Sequence, residues 1–306
     1  MTDGPSDVIR RALEQALSAR PDLSERDLNA VLAQVTSGYN NRPQADLGGR
    51  SPDEVHRFIA ADWASPHSAI RLDDSLELDD LVGAPALHDA RLVLAMLADG
   101  APVKATPKGN LPRTFVTAFQ ARAGSYAAAR EQELLPANAR NEEDHWPLHI
   151  TRLLLELERL IARRKGLFMR TRNGDRFLSD ALAGPLYTRL IRATFRALNL
   201  AYLDRAGDAP DLQHTIGFTL AQFDRHGEAW RSAEDLAADL VLPSVRATIP
   251  LRHGWDPLPL ILTTRFLAPM ERFGLAERRE TGSPVPGLRG AEFRKSPLFA
   301  RVISIR

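Results

Sequence analysis

The sequence predicts a mainly α-helical protein with small β-hairpins: a helical N-terminal domain followed by two compact helix-and-hairpin modules. Three observations carry that expectation. Apolar residues recur at helical spacing through most of the 306 residues. An apolar helix runs three times into a short basic or mixed-charge stretch and then into a Thr- or Ser-led restart. Arg163-Arg164-Lys165-Gly166-Leu167-Phe168-Met169-Arg170-Thr171 reads as a tight hairpin turning at Gly166.

The recurring phrase has a local physical sense. Leu92–Ala98 leads into Val103–Gly109, Ile150–Ala162 into Phe168–Gly174, and Leu260–Phe273 into Phe293–Leu298. A hydroxyl that closes a short strand accepts a hydrogen bond from the first free N–H groups of the next helix, and an adjacent Gly or Pro fits the tight backbone. Strand-to-helix joints are therefore expected at residues 106, 171 and 296.

Composition bounds the function. Hydrophobic residues make up 44% and charged residues 26%, so the chain is expected to fold and to bury a core spread over about two domains. Forty Lys and Arg against 39 Asp and Glu leave a formal net charge of +1, so a nucleic-acid reading must rest on local patches. The absence of cysteine removes disulfides, thiolate metal sites and cysteine nucleophiles. It fits a reducing compartment. Residues 1–20 lack the apolar core of a signal peptide, and no apolar run approaches a membrane span, so the expected location is cytoplasmic with no membrane partner.

In order along the chain, helical spacing covers residues 6–20 and 24–36, the second with Asp22 or Ser24 as cap and Leu28, Val31, Leu32 and Val35 as its stripe. A loop over 38–52 ends at Ser51-Pro52, which starts a third helix carrying Val55, Phe58 and Ile59. The helical N-terminal domain is placed at 1–66. Acidic residues alternate with Leu76, Leu78 and Leu81 over 73–80, which reads as one solvated face rather than a divalent-metal site.

From residue 86 the expected order is helix (86–98), strand (102–105), helix (109–122), a linker ending in the capping run Asn141–Asp144, helix (145–162) and the basic hairpin. That is the order of a winged-helix module, placed at 67–183. An apolar connector helix follows, within 184–209, with Leu186, Leu190, Ile191 and Phe195. A second winged-helix-like module is placed at 210–306. It has helices at 212–224, 233–241 and 258–273, wing strands at 275–280 and 292–295 around a Pro/Gly-rich tip, and a strand in the tail 300–305.

Two resemblances arise from particular residues. Val103-Lys104-Ala105-Thr106-Pro107-Lys108-Gly109-Asn110-Leu111-Pro112-Arg113, the stretch Leu153–Gly166 with Thr-x-x-Gly at Thr171–Gly174, and Leu47-Gly48-Gly49-Arg50-Ser51-Pro52 resemble an uncharacterised group of bacterial and plasmid-borne proteins over most of 29–205. That resemblance implies no established chemistry. Tyr39-Asn40-Asn41-Arg42-Pro43 with Leu47-Gly48-Gly49, Ser51-Pro52 and Glu54 is similar to the C-terminal tail of integrase-core transposases. The 38 residues before Tyr39 do not hold the α/β fold and two further carboxylates that precede the tail in those enzymes, so this loop is read as turn chemistry.

Catalytic patterns are sparse. His145 and His149 have i, i+4 spacing, but Trp146, Pro147 and Leu148 stand where a metalloprotease glutamate would be, and Pro147 marks a helix start. These histidines are assigned a structural role, with Glu142, Glu143 and Asp144 favouring the helix N-terminus. No nucleophile elbow, phosphate-binding Gly-rich loop or dinucleotide fingerprint is present, and His56, His67, His88, His214, His226 and His253 are scattered.

The expected function is therefore a non-enzymatic DNA-binding regulator or accessory factor that uses no cofactor and contacts phosphates of double-stranded DNA. The carrying residues are Lys104, Lys108 and Arg113, then Arg152 and Arg159 on the helix before the wing, and Arg163, Arg164, Lys165, Arg170 and Arg172 on the wing. A protein-interaction scaffold, with a partner or a second copy bound through the second module, is the competing class. A hydrolase assembled from scattered His and carboxylates is the third.

Overall fold

The computed structural model describes residues 5–20, 22–60, 62–65, 68–98, 102–123, 139–204, 209–281 and 290–306. The chain is mainly α-helical with antiparallel sheets of two or three strands. No helix among the described residues is long and apolar enough to cross a membrane.

Helices α1 (Pro5–Ala19) and α2 (Glu25–Asn40) form a hairpin in which α2 buries no residue completely. Ser24 caps α2, accepting from the Asp27 amide while the Asp27 carboxylate accepts from the Ser24 amide. The same reciprocal cap starts α3 (Pro52–Ala60), where Ser51 and Glu54 exchange hydrogen bonds at 3.3 and 2.9 Å. Val55 and Phe58 of α3 are buried, and α3 packs against a helix more than 150 residues away, α11 (Ile216–His226), where Gly217 lies against the Phe58 carbonyl. A short strand, β1 (Ile70–Leu72), follows α3.

The first unit runs α4 (Pro85–Met96), β2 (Val103–Lys104), α5 (Arg113–Arg122), α6 (Trp146–Leu157), β3 (Ile161–Arg164) and β4 (Leu167–Arg170). Its sheet has the order β2-β4-β3, all antiparallel. The β3–β4 turn is Lys165-Gly166, with φ of +50° and +74°. Two positive φ angles in succession give a two-residue turn whose twist matches the strands, and glycine takes the second without steric cost. Helix α6 stops at Leu157, short of the expected residue 162. Arg159 turns left-handed at φ +55°, and Leu160 and Ile161 are buried as the chain enters the sheet.

Thr171 then caps α7 (Arg172–Arg176): its hydroxyl accepts from the Gly174 amide and donates to the Leu160 carbonyl. A Cβ at residue 174 would collide with that same carbonyl, which accounts for the Thr-x-x-Gly spacing.

The connector is α8 (Ala183–Arg192), continued by one wide turn over Ala193–Ala197 and ended at Leu198. It stops short of the expected end near residue 205, and a separate short helix α9 (Ala201–Asp204) follows. Because Leu186, Tyr187, Leu190, Ile191 and Phe195 are all buried, the connector is interior rather than a surface link.

After α10 (Pro210–His214) and α11, the second unit adds β5 (Arg231–Ser232), α12 (Ala233–Leu240), α13 (Pro243–Ala247), α14 (Leu258–Leu262), a wide turn over Thr263–Leu267, α15 (Ala268–Arg272), β6 (Ala276–Thr281) and β7 (Gly290–Lys295). Its sheet order, β5-β7-β6, repeats that of the first. Most of the expected tip between these strands, 282–289, lies outside the described residues. The tail forms α16 (Pro297–Val302) and then β8 (Ile303–Ile305), which pairs with β1.

One hydrophobic cluster joins the elements from α3 to the C-terminal tail, and among the described residues neither α1 nor α2 contributes to it. Phe195 of the connector meets Phe266 at 5.9 Å, Phe266 meets Phe223 at 5.6 Å, and the Tyr187 hydroxyl donates to the Phe273 carbonyl. Buried ion pairs cross the same interior: Arg272 to Asp89 at 2.8 Å and Arg265 to Asp204 at 2.7 Å.

Candidate nucleic-acid interface

Strand pairing gathers cations that are far apart in sequence. Lys104 lies opposite Leu167, and Leu167 lies opposite Arg164, so one cross-strand row reads Lys104-Leu167-Arg164. Alternation puts Ala162 and Met169 on that same face, while Ile161 and Phe168 point inward and are buried. The two cations of the row stand two strand spacings apart, about 10 Å. Lys165 is exposed at the tip beside them.

Arg163 belongs to the inward row with Val103 and Phe168, yet it is on an edge strand and is exposed. Its guanidinium lies against Gly109, which has φ +85° and leaves no Cβ in the way. That contact brings the β3–β4 hairpin beside the loop carrying Lys108, which is exposed and 3.7 Å from Glu143, and the start of α5, where Arg113 is exposed. Arg172 and Arg176 are exposed on α7, and Arg159 is exposed at the end of α6.

Two expected contact residues are elsewhere. Arg152 is only 5% exposed and is committed to carboxylates, at 2.6 Å from Glu142 and paired with Glu156, so it is corrected from a phosphate contact to an interior ion pair. The reason is the composition of α6, which is apolar on nearly every side and sinks its one central cation with it. Arg170 also turns inward, donating to the Leu94 carbonyl at 3.1 Å and pairing with Asp175. Among the described residues, Lys104, Arg113, Arg163, Arg164, Lys165 and Arg172 make no ion pair.

Beneath this surface lies a buried polar chain that the sequence did not announce. Glu142 is 1% exposed and accepts from the Leu111 amide, from His149 Nδ1 at 2.7 Å and from Arg152 Nε at 2.6 Å. His149 Nε2 is 2.6 Å from the Tyr202 hydroxyl, and Trp146 stacks on Tyr202 at 5.8 Å. With Nδ1 donating to the carboxylate, Nε2 accepts from Tyr202, which satisfies all three groups. Burial pushes the Glu142 carboxyl upward, but the hydrogen bonds from His149, Arg152 and the Leu111 amide outweigh it and hold the group below its ordinary value. His145 stands apart from this chain. Its Nδ1 accepts from the Leu148 amide at 3.3 Å at the start of α6, and burial depresses its pKa. The only sequence signal for the network was the run of acids before a His-containing helix. Its partner Tyr202 is 53 residues beyond His149.

Residues 82–183 match the family model of the Y4jL N-terminal domain. The Y4jL match spans the first unit from just before α4 to the first residue of α8, so it contains the β3–β4 hairpin and both segments that flank it. It fits the resemblance to an uncharacterised group. No curated protein and no solved structure matches the chain.

Proposed function

We propose that the protein is a non-enzymatic DNA-binding regulator or accessory factor, built on two winged-helix modules and contacting phosphates through the wing of the first. The observation that carries this reading is the set of exposed cations without ion-pair partners among the described residues: Lys104, Arg163, Arg164 and Lys165 on the β2-β4-β3 sheet and its turn, with Arg113 and Arg172 on the helices that flank it. Six guanidinium and ammonium groups with no carboxylate partner raise the local potential well above what a net charge of +1 suggests. The helix–strand–helix–helix–strand–strand order of the first unit supports its winged-helix reading, and the second unit shares the strand order β5-β7-β6 with additional helices, α13 among them, before its hairpin.

Fluorescence anisotropy with duplex DNA at two salt concentrations tests it. Binding is expected to weaken steeply with salt, and the R163A/R164A/K165A protein is expected to bind every duplex less tightly with a flatter salt dependence. Unchanged affinity in that variant removes the wing from the mechanism.

A specific observation favours a second reading, the protein-interaction scaffold. Leu251, Trp255 and Leu260 are 66%, 51% and 52% exposed around α14 in the second unit, an apolar presentation of the kind that marks protein contacts. Sedimentation at rising concentration, together with absent DNA binding, would favour it.

A further inference from the structure

The helix that precedes the wing decides what kind of DNA contact the first unit can make. In a module that reads bases, this helix offers polar side chains to the major groove. Here α6 buries eight of its residues, Pro147 to Arg152 with Leu154 and Leu155, and packs against the connector turn at Ala193–Ala197. Both ends are tied down: Trp146 and His149 to Tyr202 near the start, Glu158 to Arg189 of α8 at the end. Its groups that are not buried are Trp146, which stacks on Tyr202, then Leu153, Glu156 and Leu157, with Glu158 at its end and the cation Arg159 exposed just beyond; Leu157 is 46% exposed. Leu153 and Leu157 have no group to donate to a base edge, Glu156 and Glu158 are acceptors already engaged by Arg152 and Arg189, and Arg159 stands past the end of the helix beside the hairpin, where it can meet phosphate.

We infer that the first unit binds duplex DNA by its phosphate backbone alone, without base readout, so that the protein is a sequence-independent accessory factor rather than a site-specific regulator. This rests on the DNA-binding reading above. The duplex is favoured over a single strand because the exposed face of β2, β3, β4 and α7 carries no aromatic ring among the described residues: Phe168 and Phe177 are both buried. Single-strand binders stack bases on exposed rings.

The test uses the full chain. A pool of randomised duplexes is selected for binding and sequenced, and anisotropy is measured on an AT-rich and a GC-rich duplex and on one single strand, at about 50 and about 200 mM salt. The expected result is no enriched motif, affinities for the two duplexes within about threefold, weaker single-strand binding, and a loss of about 10³-fold between the salts if six cations engage. Leu157→Ala, at an exposed position, is expected to leave affinity within about twofold. An enriched motif, a duplex preference beyond about thirtyfold, or a tenfold loss in L157A overturns the inference while leaving DNA binding intact. Tighter binding to the single strand than to either duplex overturns the choice of ligand. No binding at low salt overturns the DNA-binding reading and this inference together.

Discussion

At the scale of single residues, partner geometry separates arginines that composition treats alike. Arg152 and Arg163 are eleven positions apart in one helix-to-strand segment, yet one is locked between Glu142 and Glu156 and the other lies on the surface over Gly109. Arg152→Ala leaves the Glu142 carboxylate buried with fewer donors, so it should destabilise the fold by roughly 3–5 kcal/mol while leaving the salt dependence of DNA binding unchanged. Chemical denaturation and anisotropy on the same sample check both halves. Two of the depressed groups, both buried, set the clearest pH dependence. The Glu142 carboxyl lies below its ordinary 4.5 in the folded state, so its contribution is complete above that value and is lost as pH falls through the folded value. Burial likewise lowers His145 from 6.5, and its contribution is complete above 6.5 and lost on acidification through its folded value. Thermal unfolding from pH 8 downward should therefore lose stability in two stages, and Glu142→Gln should shrink the more acidic one, to which the lowered carboxyls of Asp27, Glu54, Asp73 and Asp80 also contribute.

At the scale of elements, the hairpin β3–β4 couples a backbone requirement to a charge. Lys165 holds φ +50°, a region that costs a β-carbon-bearing residue about 1 kcal/mol and suits asparagine better. Lys165→Asn should stabilise the protein by roughly 0.5–1 kcal/mol while reducing the slope of log affinity on log salt by about one unit. A more stable protein with unaltered slope would mean that the tip does not reach phosphate. At the root of the same hairpin, Gly174→Ala drives a Cβ into the Leu160 carbonyl and should cost about 2 kcal/mol or more, read as a lowered melting temperature. The caps at Ser51, Thr171 and Ser232 were legible in advance because each uses partners within three residues, and of the two candidates for α2, Asp22 and Ser24, it is Ser24 that caps. The end of α6 was not legible, since Leu160 and Ile161 continue its apolar run and only their burial in the sheet ends the helix.

At the scale of the whole molecule, two units of the same strand order present hairpins of different character. On the second, Arg278 pairs with Glu280, Arg279 with Glu292 and Arg294 with Glu277, and Trp230 lies under both Arg279 and Arg294 at 4.8 and 4.6 Å. The triple variant R278A/R279A/R294A should therefore leave the salt slope of DNA binding unchanged, in contrast to R163A/R164A/K165A. The interior also ties the units into one body. Arg265, 1% exposed, holds Asp204 and the Ala209 carbonyl, and Asp89 of α4 meets Arg272 of α15.

Read alone, the amino-acid chain specifies the order of the main helices and hairpins, the caps at Ser51, Thr171 and Ser232, the turn at Gly166 and the cationic run from Arg163 to Lys165. These depend on hydrogen bonds and side-chain patterns that reach four residues or fewer. Of the other two expected joints, Ser296 donates to the Gly274 carbonyl instead of capping, and Thr106 lies ahead of a helix that starts at Arg113. Long-range packing settles the rest: β2 joins β4, β1 joins β8 across most of the chain, Arg152 is interior, and Glu142, His149 and Tyr202 form one chain of hydrogen bonds. It also seals α6 against the connector rather than presenting it outward. The reason is that an apolar face specifies burial but not its partner, and most of a helix's stability comes from whichever distant surface covers that face.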